Sequence, residues 1–512
     1  MKVLLVGIYD NNTVTLAPYV LMSYVEQFDI ASKFDIKVKE FSIFRDSIES
    51  IIRRIKEEIP DVVGFSTYIW NINEILSIIQ QIDAITILGG PQVSGIEREL
   101  LQKNAAIDFI VTGEGEISFK GFLEYLDGDR RLENLKGIST KEIHCKPSKV
   151  VDLNSIPSFY DRIFENYPDL SWISIETSRG CVFGCKYCTW GYTNQIRYYP
   201  VKRIKKDLDI IMSQDSIKNL YFCDSSILLN KKRTKNILKH IISKSPNMSI
   251  RFEFAAEQLD DEVIDLLVQI NSGEINFGFQ SISNNALKDM GRKFNKIKFE
   301  ENFYKIVDKF KGSVTIDVIY GLPGDNIEGY KESLNYLISL ENVSRILTNP
   351  LIILPGSQFY KDMRRYGIRL KDKKSYIIRS NYTFSMRDME LAKKYSFYVT
   401  LVYLNYRLRD AIKSYAEFQE KRYIDTIIEF MESLPFKLVE KDYPDMIPSI
   451  KEGFNKRKNA FKTVFNKYSD MIEYLKIFTN HKYDTRFDDY EEHFSNHFYK
   501  MQNYATADQE LF

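Results

Sequence analysis

The sequence predicts an α/β protein with an N-terminal doubly wound sheet, a central partial (β/α)6 barrel and a C-terminal helical region. Short apolar runs alternate with helix-length amphipathic segments up to about residue 125, which is typical of a parallel sheet between two helix layers. The alternation resumes at residue 171, and beyond 385 only helical apolar spacing remains. We therefore expect a first domain, a linker, a barrel and a helical region, at residues 1–127, 128–170, 171–384 and 385–512.

The composition is that of an ordinary soluble globular protein. A chain of 512 residues is too long for one compact core, and 71 basic against 70 acidic residues create no strong field for nucleic acid or an anionic membrane. No uninterrupted apolar run of about 18 residues is present, so we expect no membrane span. Five cysteines do not make a disulfide framework, which favours reduced thiols and a cytoplasmic location.

The first domain has polar and glycine-rich loops at the ends of its predicted strands. The strands are expected at 2–8, 36–43, 61–69, 84–90 and 107–115. The carboxyl ends of parallel strands form the ligand-binding edge of a doubly wound sheet. We expect a ligand site formed by the residues that end the third, fourth and fifth strands, namely Ser66, Thr67, Gly89, Gly90, Gly113 and Gly115.

The linker contains Pro147 and Pro157 in a stretch of mixed polarity, and the barrel follows it. Barrel strands are expected at 172–178, 220–225, 250–257, 274–281, 314–321 and 345–354. Six strand–helix units are fewer than the eight of a closed barrel. The sequence therefore predicts an open-sided barrel with its chemistry at the carboxyl ends of the strands.

The stretch "SRGCVFGCKYCTWG", residues 178–191, places Cys181, Cys185 and Cys188 in the loop after the first barrel strand. Gly180 and Gly184 permit the turns that such a loop needs. Three thiolates on a cube of four irons leave one iron open to a small molecule, which can receive an electron there.

Two other interpretations of the triplet stay open at this stage. Structural zinc prefers four ligands in paired spacing, and the chain offers no second pair, although His144, Cys145 or Cys223 could supply a fourth ligand. Three unrelated buried cysteines are the other alternative.

The C-x3-C-x2-C spacing, with Tyr187 before the third cysteine, resembles the radical S-adenosyl-L-methionine (SAM) enzymes. The segments "FGFQS" (277–281), "IYGLPGDN" (319–326) and "LIILPGS" (351–357) resemble later strands of their barrel. The resemblance implies a [4Fe-4S] cluster, cleavage of SAM to a 5′-deoxyadenosyl radical, and a reductant such as flavodoxin or ferredoxin. It also implies SAM or substrate contacts for four polar residues, Asp224, Glu257, Gln280 and Ser281.

These four assignments have structural alternatives. Gln280 and Ser281 could simply cap their strand, and Glu257 could be a carboxylate at a helix start. The family's glycine-glycine-glutamate form after the second strand is absent, and "FCDSS" stands in its place.

The first domain resembles the cobalamin-binding domain of one large radical SAM class, in "DVVGFSTYIWNI", "ITILGGPQVS" and "IDFIVTGEGE". The first histidine of the chain is His144, so the D-x-H-x-x-G motif that ligates cobalt in cobalamin mutases is absent. The class commonly lacks that histidine, and the resemblance implies cobalamin as a cofactor. The alternative is a flavodoxin-like domain with an architectural role only.

The expected function is therefore that of a cobalamin-dependent radical SAM enzyme, similar to the class B methyltransferases. The resemblance implies methylation of an unactivated carbon of a peptide or natural-product intermediate, with one SAM supplying the radical and another remethylating cobalamin. The alternatives are cyclisation or rearrangement without methyl transfer, and a non-catalytic iron–sulfur protein. We expect the helical region to wall the open side of the barrel and select the substrate; the sequence does not identify catalytic residues.

Overall fold

The computed structural model describes residues 1–9, 13–191, 195–244, 246–270, 273–372, 375–403 and 406–433. The part of the predicted helical region from 434 to 512 lies outside these described residues.

The first domain is a six-stranded sheet with helices on both faces. Its strands occur in the order β2-β1-β3-β4-β5-β6, and β1 to β5 are parallel whereas β6 is antiparallel to β5. The predicted linker thus contributes one strand to this sheet. The elements are β1 (Lys2–Tyr9), α1 (Leu16–Val25), β2 (Asp35–Ser42), α2 (Ile48–Lys56), β3 (Val62–Ser66), α3 (Ile72–Ile79), β4 (Ile85–Gly89), α4 (Glu97–Lys103), β5 (Phe109–Val111), α5 (Gly115–Leu126) and β6 (Ile138–Ser139).

Strand β1 shows why both faces of this sheet are covered. Successive side chains of a strand point to opposite faces, and all of those from Val3 to Ile8 that carry a side chain are buried. Leu4, Val6 and Ile8 pack with residues of α2 and α3, whereas Val3 and Leu5 pack in a core that continues into the barrel. The two domains are therefore joined by a continuous hydrophobic core.

The barrel and the helices after it account for the rest of the described chain. Their elements are α6 (Tyr160–Asn166), β7 (Trp172–Ile175), β8 (Ser178–Arg179), β9 (Arg197–Tyr198), α7 (Val201–Met212), β10 (Asn219–Phe222), α8 (Lys231–Lys244), β11 (Ser249–Phe254), α9 (Asp261–Gln269), β12 (Glu274–Gln280), α10 (Asn284–Met290), α11 (Lys296–Val307), β13 (Ser313–Tyr320), α12 (Ile327–Ser339), β14 (Arg345–Pro350), α13 (Gln358–Lys361), β15 (Arg369–Leu370), β16 (Ile378–Ser380), α14 (Met386–Tyr403), α15 (Tyr406–Phe418) and α16 (Tyr423–Ser433).

The second large sheet is the predicted open barrel. Its six strands are parallel and run in the order β14-β13-β12-β11-β10-β7, with β7 and β14 at the two edges. Two short antiparallel pairs, β8 with β9 and β15 with β16, lie outside it. The predicted α/β fold class is confirmed.

Helix α14 packs against β14, the edge strand of the open barrel, and against α12 and α16. The Tyr330 hydroxyl on α12 lies 2.7 Å from the Ser396 hydroxyl on α14, and Lys331 forms a 2.5 Å ion pair with Asp425 on α16. The described helices after residue 385 therefore cover one edge of the barrel. Among the described helices, we find none with the length and apolar character that crossing a bilayer requires.

Strand β2 carries a buried carboxyl group, Glu40, which is 4% exposed. Its Oε2 atom accepts a hydrogen bond from the Thr15 backbone N–H at 3.2 Å, while Oε1 has no partner among the described residues. Burial is the main cause that raises the pKa of Glu40 to about 8, from 4.5 in a model compound, against the opposing hydrogen bond from Thr15. Glu40 is therefore protonated in the folded protein at neutral pH.

We predict that Glu40→Gln removes a pH-dependent part of the stability. Because the folded pKa is raised, the stability from the protonated group is complete below about pH 4.5 and is lost as the pH rises to about 8. Relative to the wild type, the free energy of unfolding of the variant should therefore rise by about 4 kcal/mol between pH 5 and pH 8.5. Thermal unfolding at both pH values measures this, with the exposed Glu57→Gln as control. A difference that does not change with pH contradicts the prediction.

Candidate functional site

The carboxyl ends of the two sheets meet at a cleft between the domains, which we call the interdomain cleft. It has a volume of about 250 Å³ and is lined on one side by Ser66, Gly89, Gly90, Gly113 and Gly115. We define the cysteine loop as residues 180–191. The opposite side of the cleft is lined by residues of this loop and of the segment immediately before it. They are Glu176, Arg179, Gly180 and Trp190.

The glycines of the cleft differ in the space around them. A Cβ atom on Gly90, whose φ is +117°, would lie 2.4 Å from the Thr67 carbonyl oxygen. On Gly113 it would lie 3.2 Å from Pro147, and on Gly115 3.0 Å from Leu21. On Gly89, by contrast, it would meet only Val111 at an ordinary 3.6 Å. A side chain at Gly89 therefore has room at the backbone and would occupy the cleft itself.

Thr67 lies behind the wall of the cleft. It is fully buried, and both its backbone N–H and its hydroxyl donate to the Gly89 carbonyl oxygen at 2.7 Å. These bonds tie the end of β3 to the end of β4. The structure thus gives Thr67 a part in shaping the cleft, and a direct ligand contact stays a prediction.

The cysteine loop follows β8 and is held by three other elements. Gly180 and Gly184 have positive φ angles of 91° and 62°, which glycine adopts without strain. The Ser225 hydroxyl donates to the Gly180 carbonyl at 2.7 Å. Lys186 donates its backbone N–H to Met290 on α10 at 2.9 Å and accepts from Phe359 on α13 at 2.8 Å. The loop is therefore positioned from several sides of the barrel mouth.

The three sequence-predicted cysteines lie together in this loop as free thiols. Cys181 is buried, and the other two are half-buried. Burial raises the pKa of Cys185, with nearby Arg292 opposing this, and it raises the pKa of Cys188 to about 11, with the Trp190 backbone N–H opposing. Such thiols ionise readily only beside positive charge, which a bound metal centre supplies.

Among the described residues, no three histidine, cysteine, aspartate or glutamate side chains converge closely enough to hold a single metal ion. A four-iron cube binds each cysteine at a different iron, so it does not need that convergence. The donor set of three thiols in one loop fits such a cube.

Asp224 lies in a buried network behind the cysteine loop. Its Oδ1 atom accepts from the Thr177 hydroxyl at 3.0 Å and also from the Ser178 hydroxyl, and its Oδ2 accepts from the Thr177 N–H at 3.3 Å. Arg233 donates to the Thr177 carbonyl at 2.8 Å. Burial raises the pKa of Asp224 to about 6, against the hydrogen bonds from Ser178 and Thr177. The network fixes the segment between β7 and β8; a cofactor contact of Asp224 stays a prediction.

The end of β12 is irregular at the two residues that the sequence singled out. Gln280 has a φ of +75°, which is strained for a residue with a side chain, and the register with β13 shifts between Gly278 and Gln280. Ser281 is buried; its hydroxyl accepts from the Ser283 N–H at 3.0 Å and contacts Asp325 at 3.4 Å. Strain of this kind accumulates at functional sites, which fits a ligand contact for Gln280 more than for Ser281.

Arg292 is a site residue that sequence reasoning missed. Its guanidinium donates to the Gly278 carbonyl and lies beside Cys185 and Tyr187 in the cysteine loop. Glu257 lies near this guanidinium and accepts from the Asn295 N–H at 3.4 Å. No local pattern marks Arg292, because its importance arises from contacts between β12, α10 and the cysteine loop.

A second missed feature is a group of ion pairs between the domains. Arg179 lies immediately before the cysteine loop, and its Nε is 3.0 Å from each Glu176 oxygen. Its NH1 donates to Glu116 at the start of α5 at 2.6 Å. Arg197 pairs with Glu114 in the loop before α5. The residues around Gly113 and Gly115 are thus paired with one arginine before the cysteine loop and one after it. Both carboxylates belong to the motif "TGEGE" (112–116).

The structure thus combines a glycine-lined doubly wound domain with an open barrel that carries three cysteines in one loop. The model of the Radical SAM superfamily matches residues 175–337, and the model of the B12 binding domain matches residues 22–123. The chain therefore carries a radical SAM domain behind a B12 binding domain.

Two methyltransferases are similar in sequence to about three-quarters of this chain. The cobalamin-dependent radical SAM methyltransferase TokK of Streptomyces tokunonensis is 22% identical over 74% of this chain and 59% of its own length. The 2-(S-pantetheinyl)-carbapenam-3-carboxylate methyltransferase of Streptantibioticus cattleyicolor is 23% identical over 73% of this chain and 59% of its own length. The chain therefore spans about three-fifths of the length of both relatives.

A solved structure is similar in fold. It is that of OxsB, a cobalamin-dependent SAM radical enzyme, with aqua-cobalamin and SAM bound. Its TM-score is 0.63, with 16% identity, 84% coverage of this chain and 70% coverage of OxsB. At this identity the likeness concerns the fold.

We predict that Gly89→Leu weakens cobalamin binding at least tenfold and leaves the iron content unchanged. The new side chain has room at the backbone but fills the cleft. Cobalamin retention and iron content after anaerobic reconstitution measure both effects.

Gly89→Ala is the matched control, since one methyl group takes little of the cleft volume, and it should bind cobalamin within about twofold of the wild type. Gly90→Ala should instead destabilise the whole domain, because its Cβ would clash with Thr67. Unimpaired cobalamin binding by Gly89→Leu would show that the cleft is not the cobalamin site.

Proposed function

We propose that this protein is a cobalamin-dependent radical SAM methyltransferase that methylates an unactivated carbon of a natural-product or peptide intermediate. The observation that carries this proposal is the shared cleft, in which the glycine-lined strand ends of the B12 binding domain face the cysteine loop of the barrel. Two cofactors bound on these opposite walls would act on one substrate.

The residues of the cleft fit cobalamin. Gly89, Gly90, Gly113 and Gly115 leave a cradle at the carboxyl ends of the adjacent strands β4 and β5, where a nucleotide-like tail binds in a doubly wound sheet. No histidine precedes His144 in the sequence, so residues 1–143 supply no imidazole ligand to cobalt. Cobalamin, when bound, supplies the methyl group.

The residues of the cysteine loop fit a [4Fe-4S] cluster. Cys181, Cys185 and Cys188 would hold three irons, which leaves the fourth open to the amino and carboxylate groups of SAM. The cluster, when bound, supplies the electron that cleaves SAM. The loop is held by Ser225, Met290 and Phe359, so its thiols are positioned before any ligand arrives.

Trp190 lies at the junction of the two sites. It lines the interdomain cleft, and its backbone N–H donates to the Cys188 sulfur at 3.4 Å. We infer that its side chain helps to exclude water between the cofactors. Gln280 and Glu257, near Arg292 at the barrel mouth, are the polar groups that we assign to SAM or the substrate.

We assign a small-molecule substrate and a cytoplasmic location. The two methyltransferase relatives, one of which is named for a pantetheinyl carbapenam carboxylate, support a natural-product intermediate. All five cysteines are free thiols, which suits a reducing compartment. A low-potential reductant such as flavodoxin or ferredoxin is the partner that the proposed reaction requires.

We predict that Cys185→Ala lowers bound iron and abolishes SAM cleavage, because two cysteines no longer hold the cluster firmly. Iron analysis, the visible absorption of the cluster and 5′-deoxyadenosine formation measure this. Cys145→Ala is the matched control, since Cys145 lies in the linker and outside the triplet; it should retain both iron and SAM cleavage. Full iron and normal cleavage in Cys185→Ala would refute the assignment.

The products of SAM separate methyl transfer from cyclisation or rearrangement. If the protein is a methyltransferase, each methyl group transferred should be accompanied by one 5′-deoxyadenosine and one S-adenosylhomocysteine. SAM labelled in its methyl group should transfer the label to substrate. Substrate conversion with 5′-deoxyadenosine but no S-adenosylhomocysteine would favour the alternative reaction.

A further inference from the structure

We propose that the tip of the cysteine loop, together with basic residues around it, is the docking surface for an acidic one-electron carrier protein of the flavodoxin or ferredoxin type. The proposal rests on the proposed function, because only a redox cluster in this loop requires such a partner. Three features of the described residues support it: an exposed apolar tip, a surrounding excess of basic charge, and the position of both beside the cysteines.

The tip consists of Val182 and Phe183, between the first two cysteines. Their side chains are 55% and 45% exposed, which is unusual for large apolar residues in a loop that is otherwise held tightly. Neither residue lines the interdomain cleft, whereas Trp190 of the same loop does. The tip is therefore exposed to solvent and lies outside the lining of the interdomain cleft.

Basic residues lie on two segments that are hydrogen-bonded to the cysteine loop at Lys186; we call Lys288, Lys293, Lys361, Arg364 and Arg365 the basic rim. The first segment is joined to the loop by the 2.9 Å hydrogen bond from Lys186 to Met290. The second is joined by the 2.8 Å bond from Phe359 to the Lys186 carbonyl, and by the 2.7 Å bond from the Lys186 ammonium to the Tyr366 hydroxyl. The rim therefore adjoins the loop on both sides.

The charge of these segments departs from that of the whole chain. Residues 286–298 contain five basic residues and one acid, as do residues 359–371, although the chain as a whole has 71 basic and 70 acidic residues. The two acids already accept hydrogen bonds, Asp289 from Tyr382 at 2.5 Å and Asp362 from Gln358 at 2.8 Å. Each segment therefore has a net charge of +4, from five basic residues and one acid, and its rim members form no ion pair among the described residues.

An acidic electron carrier is the occupant that this surface fits. Opposite charge steers a protein partner to the correct face and speeds association, and an exposed apolar centre inside a polar rim is the usual anatomy of a protein interface. The reduced carrier would transfer one electron to the oxidised cluster. The cluster is thereby reduced, and the carrier dissociates in its oxidised form. No bond or proton is exchanged between the two proteins, so the surface needs only to bring the redox centres close.

The test compares two reductants for the same enzyme. We expect Arg364→Glu/Arg365→Glu and Lys288→Glu/Lys293→Glu to lower 5′-deoxyadenosine formation driven by reduced flavodoxin at least tenfold at low ionic strength. The loss should shrink as salt is added, because screening weakens the interaction between surface charges. Formation driven by dithionite, which needs no docking surface, should stay within about twofold of the wild type. Iron content confirms that each variant carries its cluster.

The matched control is Lys218→Glu/Lys311→Glu. Both lysines are exposed and precede β10 and β13, at the opposite end of the barrel from the cysteine loop. This variant makes the same change in net charge and should retain the flavodoxin-driven rate.

Two results would overturn the proposal. One is an unchanged flavodoxin-driven rate in both rim variants. The other is an equal loss with flavodoxin and with dithionite, which would mean that the rim binds an anionic substrate or SAM. A wild-type enzyme that fails to cleave SAM even with dithionite would instead refute the proposed function on which the docking surface rests.

Discussion

The interaction on which the site depends is the buried ion-pair group around Arg179. This guanidinium joins Glu176 at the end of β7 to Glu116 at the start of α5, and so links the barrel to the B12 binding domain. Its side chain is only 12% exposed, and that of Glu116 is 4% exposed. Removing one partner of such a buried pair typically costs about 3–5 kcal/mol, because a charge is left without compensation. Ion pairs as well as apolar packing therefore hold the two sides of the interdomain cleft in position.

The ion pairs of Arg179 explain why the interdomain cleft lies between the carboxyl edges of the two sheets. Parallel sheets bind ligands at the carboxyl ends of their strands, and here the carboxyl edges of two sheets are held against each other. Arg179 precedes Gly180 and Cys181 directly, while Glu116 follows Gly115 directly. A shift of one wall would therefore move the cysteines and the glycine cradle relative to each other. The ion pairs and the shared hydrophobic core oppose that shift.

The strands of both sheets could be predicted from the sequence because buried parallel strands are short apolar runs, and β1 begins and ends within about one residue of its expected bounds. The cysteine loop could also be located, since it follows an apolar strand. Strand β6 could not, because two residues in a polar linker carry no periodic signal. Arg292 and Arg179 were missed for a different reason: their contacts join segments far apart in sequence, and a single arginine has no pattern.

The polar residues that the sequence singled out divide into two groups by burial. Asp224 and Ser281 are buried and already hydrogen-bonded within the protein. Their hydrogen bonds hold β8 and the end of β12 in place. Gln280 and Glu257 are half-buried, and Gln280 is held in a strained conformation. A polar group that is buried and already hydrogen-bonded has fewer free donor or acceptor positions for a ligand than a half-buried one. The first group keeps the cysteine loop and its neighbouring strand in place, and a ligand contact of Gln280 or Glu257 stays a prediction.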